Sequence, residues 1–179
     1  MKLNPHITTN KPVVVLGDLS DLPLQELKYV SLARAWNEVP DAITPLLYEM
    51  VSKVNPEEGM RVVVDYKVRD LEVGDHGCVL SGWHLDCTPN PNHNSRPEKH
   101  WIFSTCVGTE FVTTPLEVYL TDKHFSDVLS RSEAEGDLEY IQVPPNYITE
   151  YSRFNLHRGP KMTKACRRML LRVTQTEIV

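Results

Sequence analysis

The sequence predicts a mainly β protein, a double-stranded β-helix (jelly roll) with N-terminal helices packed on one side. From residue 60 onward, short β-branched and aromatic runs are separated by corners rich in proline, glycine or asparagine, a pattern typical of β-sandwiches and barrels. Before residue 60, apolar residues recur with the three-and-four spacing of an amphipathic helix. We therefore assign residues 1–59 to a helical layer and residues 60–179 to the β core of a single domain, a size that supports one hydrophobic core.

The N-terminal segment is predicted to hold one strand and two helices. Residues 12–16 form a β-branched run closed by a glycine, and we expect an edge or entry strand there. Residues 22–38 fit neither period cleanly, and a helix from Pro23 is the better match. A second helix, capped by Asp41, should run to about Lys53 and bury an apolar stripe against a sheet. The stripe consists of Ile43, Leu46, Leu47, Met50, Val51 and Val54.

The β core is predicted from residue composition and punctuation. Strands are expected at 61–68, 78–86, 101–106, 108–114, 116–120, 138–143, 147–151, 154–158 and 167–176, with a helical insertion at 124–132. Residues 87–99 contain three prolines and three asparagines, which excludes a regular element. A long loop directly after candidate site residues is where a substrate lid would lie.

Composition limits the classes of function. The formal net charge of −5 gives no support to sequence-independent nucleic-acid binding, although basic residues crowd the last thirty positions. The four cysteines form no CxxC pair, which favours reduced thiols in a cytoplasmic protein. No run approaches the roughly 20 apolar residues that cross a bilayer, and the N-terminus lacks the apolar core of a signal peptide. We expect a soluble cytoplasmic protein with no membrane partner.

Three residues in two distant segments are candidate metal ligands. His84 and Asp86 are two positions apart in a predicted strand, so both side chains project from the same face. His157 lies in a later strand-like run and offers a second imidazole. Two histidines and one carboxylate on one side of a metal, with other positions open, favour non-haem Fe(II).

In order and spacing, these residues resemble the Fe(II)- and 2-oxoglutarate-dependent dioxygenases. That family has a His-x-Asp pair, a long interval, a distal histidine and then an arginine ten to fifteen residues later. Arg168 and Arg172 follow His157 by 168 − 157 = 11 and 172 − 157 = 15 residues. Residues 167–174 look like the closing strand of the taurine dioxygenase branch, whereas residues 83–86 and 156–160 look equally like the phytanoyl-CoA hydroxylase branch.

The resemblance covers roughly residues 60–176 and implies a division of roles. His84, Asp86 and His157 would hold Fe(II), and Arg168 or Arg172 would pair with the far carboxylate of 2-oxoglutarate. Thr109 falls where relatives place a threonine that helps to hold this co-substrate. Molecular oxygen would be the second co-substrate, and the intact carboxylate at position 86 favours hydroxylation or demethylation over halogenation. The substrate itself is not readable from the sequence.

Two other functions remain open at this point. One is a non-catalytic jelly-roll module with a binding, structural or assembly role, and the other is a cupin-type metalloenzyme that uses the same ligands without 2-oxoglutarate. Arg168 and Arg172 alternate with Met169, Leu171 and Val173, so one face of their strand is basic and the other apolar. An oxygenase requires the basic face to point into the barrel and the apolar face to meet the helices, whereas arginines that face solvent favour the alternatives.

Overall fold

The architecture is that of a computed structural model, which describes residues 2–55, 59–78, 82–86, 98–117 and 125–177. In these ranges the strands are β1 (Thr8–Asn10), β2 (Gln25–Ser31), β3 (Met60–Leu71), β4 (Lys99–Ser104), β5 (Glu110–Val112), β6 (Tyr140–Gln142), β7 (Ile148–Ser152), β8 (His157–Arg158) and β9 (Cys166–Glu177). The helices are α1 (Leu32–Glu38), α2 (Thr44–Ser52) and α3 (Phe125–Glu135). None of the helices in the described residues is both long and apolar enough to cross a bilayer.

The strands form two antiparallel sheets, which confirms the predicted jelly roll. The large sheet has the order β1-β7-β4-β9-β3-β2, and the small sheet has the order β6-β5-β8. Strands β3 and β9 are the longest and pair along their whole length, from Met60 opposite Glu177 to Leu71 opposite Cys166. Because β9 lies between β3 and β4, its side chains occupy the centre of both faces of the large sheet.

The two faces of β9 have opposite character. Met169, Leu171 and Val173 are buried in the main hydrophobic core with apolar residues of α1 and α2. The alternate residues Arg168 and Arg172 line a cavity on the other face. Alternation along a strand sends successive side chains to opposite faces, so the basic face points into the barrel and the apolar face meets the helical layer.

The N-terminal helices pack on the large sheet as predicted. Leu46, Leu47 and Met50 of α2 are fully buried in the main core. The predicted cap is wrong, because the helix begins after Ile43 and no side chain caps it. Asp41 contributes only its backbone carbonyl, which accepts a bond from the Thr44 amide at 3.2 Å.

The strand predicted at residues 12–16 does not form. The side chains of Val13 and Val15 are 88% and 93% exposed. The amides of Val13 and Val14 instead donate to the two carboxylate oxygens of Glu49 on α2, at 3.1 and 2.9 Å. Pro12 has no amide hydrogen for a ladder, and these side-chain bonds satisfy the next two donors. The N-terminal strand is β1, which pairs with β7.

Residues 22–38 form a strand followed by a helix, not one helix. Strand β2 pairs with β3 at the sheet edge, and the Ser31 hydroxyl caps α1 by accepting from the Arg34 amide. A register shift lies between Leu27 and Val30, so these apolar residues are both buried although they are three apart. A β-bulge thus imitates helical spacing, and residues 1–59 add two strands to the sheet as well as the helices.

Most of the remaining predicted strands are present. The runs at 61–68, 101–106, 108–114, 138–143, 147–151, 154–158 and 167–176 each contain a strand, and the insertion at 124–132 contains most of α3. In the run at 78–86, the described residues form a single bridge at His84. Residues 87–97 of the predicted loop and residues 118–120 of the predicted strand lie outside the described residues.

Replacing Leu171 by alanine should show how much the apolar face of β9 contributes to stability. Leu171 is fully buried beneath the helices, and such truncations remove about 2–5 kcal/mol from the free energy of unfolding. Urea denaturation measures this loss. Val13→Ala is the control, since an exposed apolar side chain changes stability by only about 0.5 kcal/mol. Equal stability of the two variants would contradict the packing of β9 against the helices.

Candidate metal centre

Two backbone hydrogen bonds bring the candidate histidines together. The His84 amide donates to the His157 carbonyl at 2.9 Å, and the His157 amide donates to the His84 carbonyl at 3.0 Å. This antiparallel bridge extends the small sheet beyond β8. The two imidazole ring centroids lie 4.5 Å apart. Local backbone pairing therefore juxtaposes side chains that are 73 positions apart in the sequence (157 − 84).

In both histidines, Nδ1 forms a hydrogen bond with a backbone carbonyl oxygen. His84 Nδ1 lies 2.9 Å from the Gly82 carbonyl oxygen, and His157 Nδ1 lies 3.0 Å from the Asn155 carbonyl oxygen. A carbonyl only accepts, so Nδ1 carries a hydrogen in each ring. Nε2 of His84 lies 4.0 Å from Cys78 Sγ, and Nε2 of His157 lies 3.4 Å from Asp86 Oδ2. Metal-binding histidines typically donate the N–H of the nitrogen that does not bind the metal to such an acceptor, and this bond fixes the tautomer and the orientation of the ring.

Asp86 completes a three-residue group. Its Oδ2 lies 3.4 Å from His157 Nε2, and the ligand atoms of His84, Asp86 and His157 all lie within 4.8 Å of one another. In the described part of the chain this is the one group of histidine, cysteine and acidic residues that could hold a metal. Burial opposes ionisation of Asp86, but the charges of His157 and Arg172 outweigh burial and hold the Asp86 pKa well below its usual range.

Arg172 and Tyr151 hold the Asp86 carboxylate in place. The Tyr151 hydroxyl donates to Asp86 Oδ2 at 2.7 Å, and Arg172 Nη1 donates to the same oxygen at 2.6 Å. The other side of the Arg172 guanidinium donates to Asp65 Oδ2 from Nε and Nη2, at 3.1 and 2.9 Å. Arg172 is therefore engaged with two carboxylates, and its role is to orient Asp86.

Arg168 lies in the same cavity with a different environment. Its side chain is buried, its Nη1 donates to the Gly77 carbonyl, and its Nε has no hydrogen-bond partner. No carboxylate among the described residues forms an ion pair with it. Burial, followed by the positive charge of Arg69, lowers the Arg168 pKa to about 10. A buried guanidinium without an anion is costly.

The six residues singled out in the sequence all line one cavity of about 450 Å³. These are His84, Asp86, His157, Thr109, Arg168 and Arg172. Their individual roles as ligands remain predictions. Tyr151, Asp65 and Arg69 line the same cavity but were not among the site residues predicted from the sequence. The alternation of Asp65, Lys67 and Arg69 along β3 was the available signal, since it marks a charged face of a central strand.

His100 has a structural role beside the site. It lies in β4 and is 1% exposed, with Nδ1 3.0 Å from the Thr174 hydroxyl oxygen. Its ring stacks on Tyr151 at a centroid distance of 4.8 Å. Burial lowers the His100 pKa to about 3. His100 therefore stays neutral and supports the tyrosine that binds Asp86.

A cluster of charged side chains centred on Arg158 lies beside the group formed by His84, Asp86 and His157. Arg158 donates to Glu110 at 2.6 Å and, through two nitrogens, to both carboxylate oxygens of Glu133 at 2.6 Å. Its guanidinium carbon lies 4.1 Å from the Trp83 ring centroid, and the Trp83 indole donates to Glu133 at 3.1 Å. Trp83 precedes His84 and Arg158 follows His157 in the sequence. The hydrogen bonds to Glu133 of α3 therefore connect the two chain segments that carry these histidines.

Acidification should destabilise the fold through His100. Its folded-state pKa of about 3 lies below the ordinary histidine pKa of roughly 6.5, so the unfolded chain binds more protons between these values and stability falls as the pH falls. We expect Tm to decrease between pH 7 and pH 4.5, and to decrease less in His100→Gln. The exposed His6 provides the control variant, His6→Gln. An identical pH dependence in His100→Gln and the wild type would contradict this assignment.

No protein-family model matches the sequence, and no curated protein matches it. Among solved structures, the chain is similar to EvdO2 from Micromonospora carbonacea var. aurantiaca, with a TM-score of 0.50 and 13% identity, covering 86% of this chain and 67% of that chain. A structure of EvdO2 complexed with 2-oxoglutarate aligns with a TM-score of 0.46 and 13% identity, over 87% and 69% of the two chains. At 13% identity the likeness to the first of these structures shows the fold alone.

Proposed function

We propose that this protein is a non-haem Fe(II)- and 2-oxoglutarate-dependent oxygenase that hydroxylates a substrate still to be identified. The observation that carries the proposal is the cavity. Its wall holds one nitrogen of each imidazole and one carboxylate oxygen within 4.8 Å of one another, together with buried Arg168, which forms no ion pair with a carboxylate of the described residues. A metal bound by His84, Asp86 and His157, and a dicarboxylate that reaches from this metal to Arg168, would use both features.

The donor set fits a divalent iron ion. Asp86 is ionised, and burial lowers the His157 pKa to about 4, so the His157 ring is neutral at neutral pH. Burial opposes protonation of His84, but hydrogen bonding to Cys78 and Gly82 raises the His84 pKa above its ordinary value. Metal ligands must be deprotonated, so a metal competes with a proton at His84. Three donors from one side leave coordination positions open for co-substrates.

Arg168 is the better candidate for the far carboxylate of 2-oxoglutarate. Arg172 already binds Asp65 and Asp86, so a third carboxylate would have to displace one of them. Arg168 has no such partner among the described residues, and its Nε is open. A guanidinium can bind a carboxylate through two parallel hydrogen bonds. Thr109 lines the same cavity and is buried, which suits a minor contact with the co-substrate.

In the proposed reaction, the bound iron and 2-oxoglutarate have one role and the protein side chains have another. Iron and 2-oxoglutarate, when bound, supply the oxidant from molecular oxygen. The chain's own residues do the positioning: Tyr151 and Arg172 fix the Asp86 carboxylate, and Gly82 and Asn155 fix the two imidazoles. His157 is 5% exposed, so the inner end of the cavity is shielded from bulk water. Such shielding prevents side reactions of a reactive oxidant.

The comparison with EvdO2 is consistent with the proposal, but the proposal rests on the residues of the cavity. EvdO2 has been crystallised with 2-oxoglutarate, and the chain shares its fold. A small-molecule or macromolecule-borne substrate in the cytoplasm completes the proposal. A cupin-type metalloenzyme without 2-oxoglutarate uses the same ligands but gives Arg168 no anion to bind.

Anaerobic addition of Fe(II) and 2-oxoglutarate tests the proposal directly. We expect the weak visible charge-transfer band of the chelate in the wild type. The band should be absent in His84→Ala and His157→Ala, because each removes one Nε2 donor, and present in the control His6→Ala. Absorption spectroscopy and metal titration supply the readout. A wild-type protein that binds Fe(II) but shows no change on adding 2-oxoglutarate would leave the cupin-type alternative standing.

Substitution of the two arginines separates their roles. Arg168→Gln should weaken 2-oxoglutarate binding about tenfold or more, since a hydrogen bond to a charged group contributes about 1.5–3 kcal/mol, while the Kd for Fe(II) stays unchanged. Arg172→Gln should weaken Fe(II) binding as well, because Asp86 loses a partner. Titrations of metal and co-substrate measure the two constants. Reversed effects would assign the co-substrate to Arg172.

A further inference from the structure

The register of β3 and β9 places two arginines directly opposite each other. Arg69 pairs with Arg168, and the next position pairs Asp70 with Arg167. The second pair is compensated, since Arg167 donates to both Asp70 carboxylate oxygens at 2.7 and 2.9 Å. The first pair sets two positive charges against each other, and like charges in direct opposition destabilise a sheet.

The two guanidiniums converge on one neutral acceptor. Arg69 Nη2 donates to the Gly77 carbonyl at 2.9 Å, and Arg168 Nη1 donates to the same oxygen. Among the described residues, no carboxylate forms an ion pair with either arginine. A carbonyl dipole satisfies hydrogen-bond donors but does not neutralise two full charges.

Among the described residues, the positive charge without an ion-pair partner is concentrated at this end of the cavity. Of the other cationic side chains on its wall, Lys67 is paired with Glu26, whose carboxylate also interacts electrostatically with Arg69 from beyond ion-pair distance. Arg172 is paired with Asp65 and Asp86. Lys28 is exposed to solvent, which screens its charge. Arg69 and Arg168 therefore form a cationic end that faces the same cavity as the metal group.

We propose that Arg69 and Arg168 together form a two-guanidinium seat for an oxyanion, and that the far carboxylate of 2-oxoglutarate occupies it. This identification of the occupant rests on the proposed function. Arg69 belongs to no part of the ligand pattern in the sequence and is a second binding residue for the co-substrate. The charge of Arg69 adds to burial in lowering the Arg168 pKa, which agrees with a seat that is incomplete without its anion.

The seat also predicts selectivity. A carboxylate between two guanidiniums is stabilised by charge-assisted hydrogen bonds, which are roughly twice as strong as neutral ones. An uncharged amide offers one acceptor oxygen where a carboxylate offers two, and it carries no charge to neutralise the guanidiniums. The cationic end should therefore bind a dicarboxylate more tightly than its uncharged diamide.

Glutarate binding to the metal-free full-length chain tests the seat separately from the metal. Calorimetry should show that the wild type binds glutarate more tightly than glutaramide, the uncharged diamide. Arg69→Gln should weaken glutarate binding about tenfold, and Arg69→Lys, which keeps the charge but not the fork, should recover part of the loss. Arg167→Gln is the matched control, because Arg167 lies on the same strand and is paired with Asp70; its glutarate affinity should equal that of the wild type.

The outcomes separate the seat from the oxygenase proposal. A Tm of Arg69→Gln at or above that of the wild type, with unchanged Fe(II) affinity and weakened glutarate binding, supports the seat, because removing one of two opposed charges does not destabilise the sheet. A merely structural Arg69 would lower Tm and leave glutarate binding intact. Equal glutarate affinity in Arg69→Gln and the wild type overturns the seat even where the 2-oxoglutarate band is present. Glutarate binding without that band supports the seat and overturns the oxygenase. A wild type that binds neither ligand overturns both.

Discussion

The two backbone hydrogen bonds between His84 and His157 are the constraint on which the site depends. They fix the separation of two distant segments at the distance of an antiparallel pair, and the imidazoles meet because directly opposed side chains in such a pair are close. The bonds from Nδ1 to the Gly82 and Asn155 carbonyls then set the direction of each ring. Backbone geometry thus determines the position and the tautomer of both histidines, and side-chain packing only has to preserve them.

The large sheet supplies the charges that complete this arrangement. Arg172 of β9 forms ion pairs with Asp86 and with Asp65 of β3. These ion pairs connect Asp86 to β3 and β9, the longest pair among the described strands. The apolar residues between the arginines anchor the same strand in the helical core. One strand therefore contributes its apolar face to the core and its charged face to the cavity, and a change in its register would disturb both.

Features set by short-range periodicity could be predicted from the sequence, and features set by long-range register could not. The jelly roll, the α2 stripe and the alternating faces of β9 follow from local spacing, and His84 and Asp86 share a cavity for the same reason. The bulge in β2 produced a false helical period. The pairing of Arg69 with Arg168 depends on how two distant strands align, which no single-strand pattern encodes. That the whole chain is one domain stays a prediction.

The wall of the cavity beside the arginines is made of backbone. A Cβ atom on Gly159 would lie 2.3 Å from the Cys78 nitrogen and 2.6 Å from the Gly77 carbonyl carbon. Two chain segments pass here at a distance that only a glycine at position 159 allows. A side chain at this position cannot be accommodated without separating the segments. A different shape of the pocket would therefore have to come from replaceable side chains elsewhere on its lining, such as Lys28, Lys67 and Leu170.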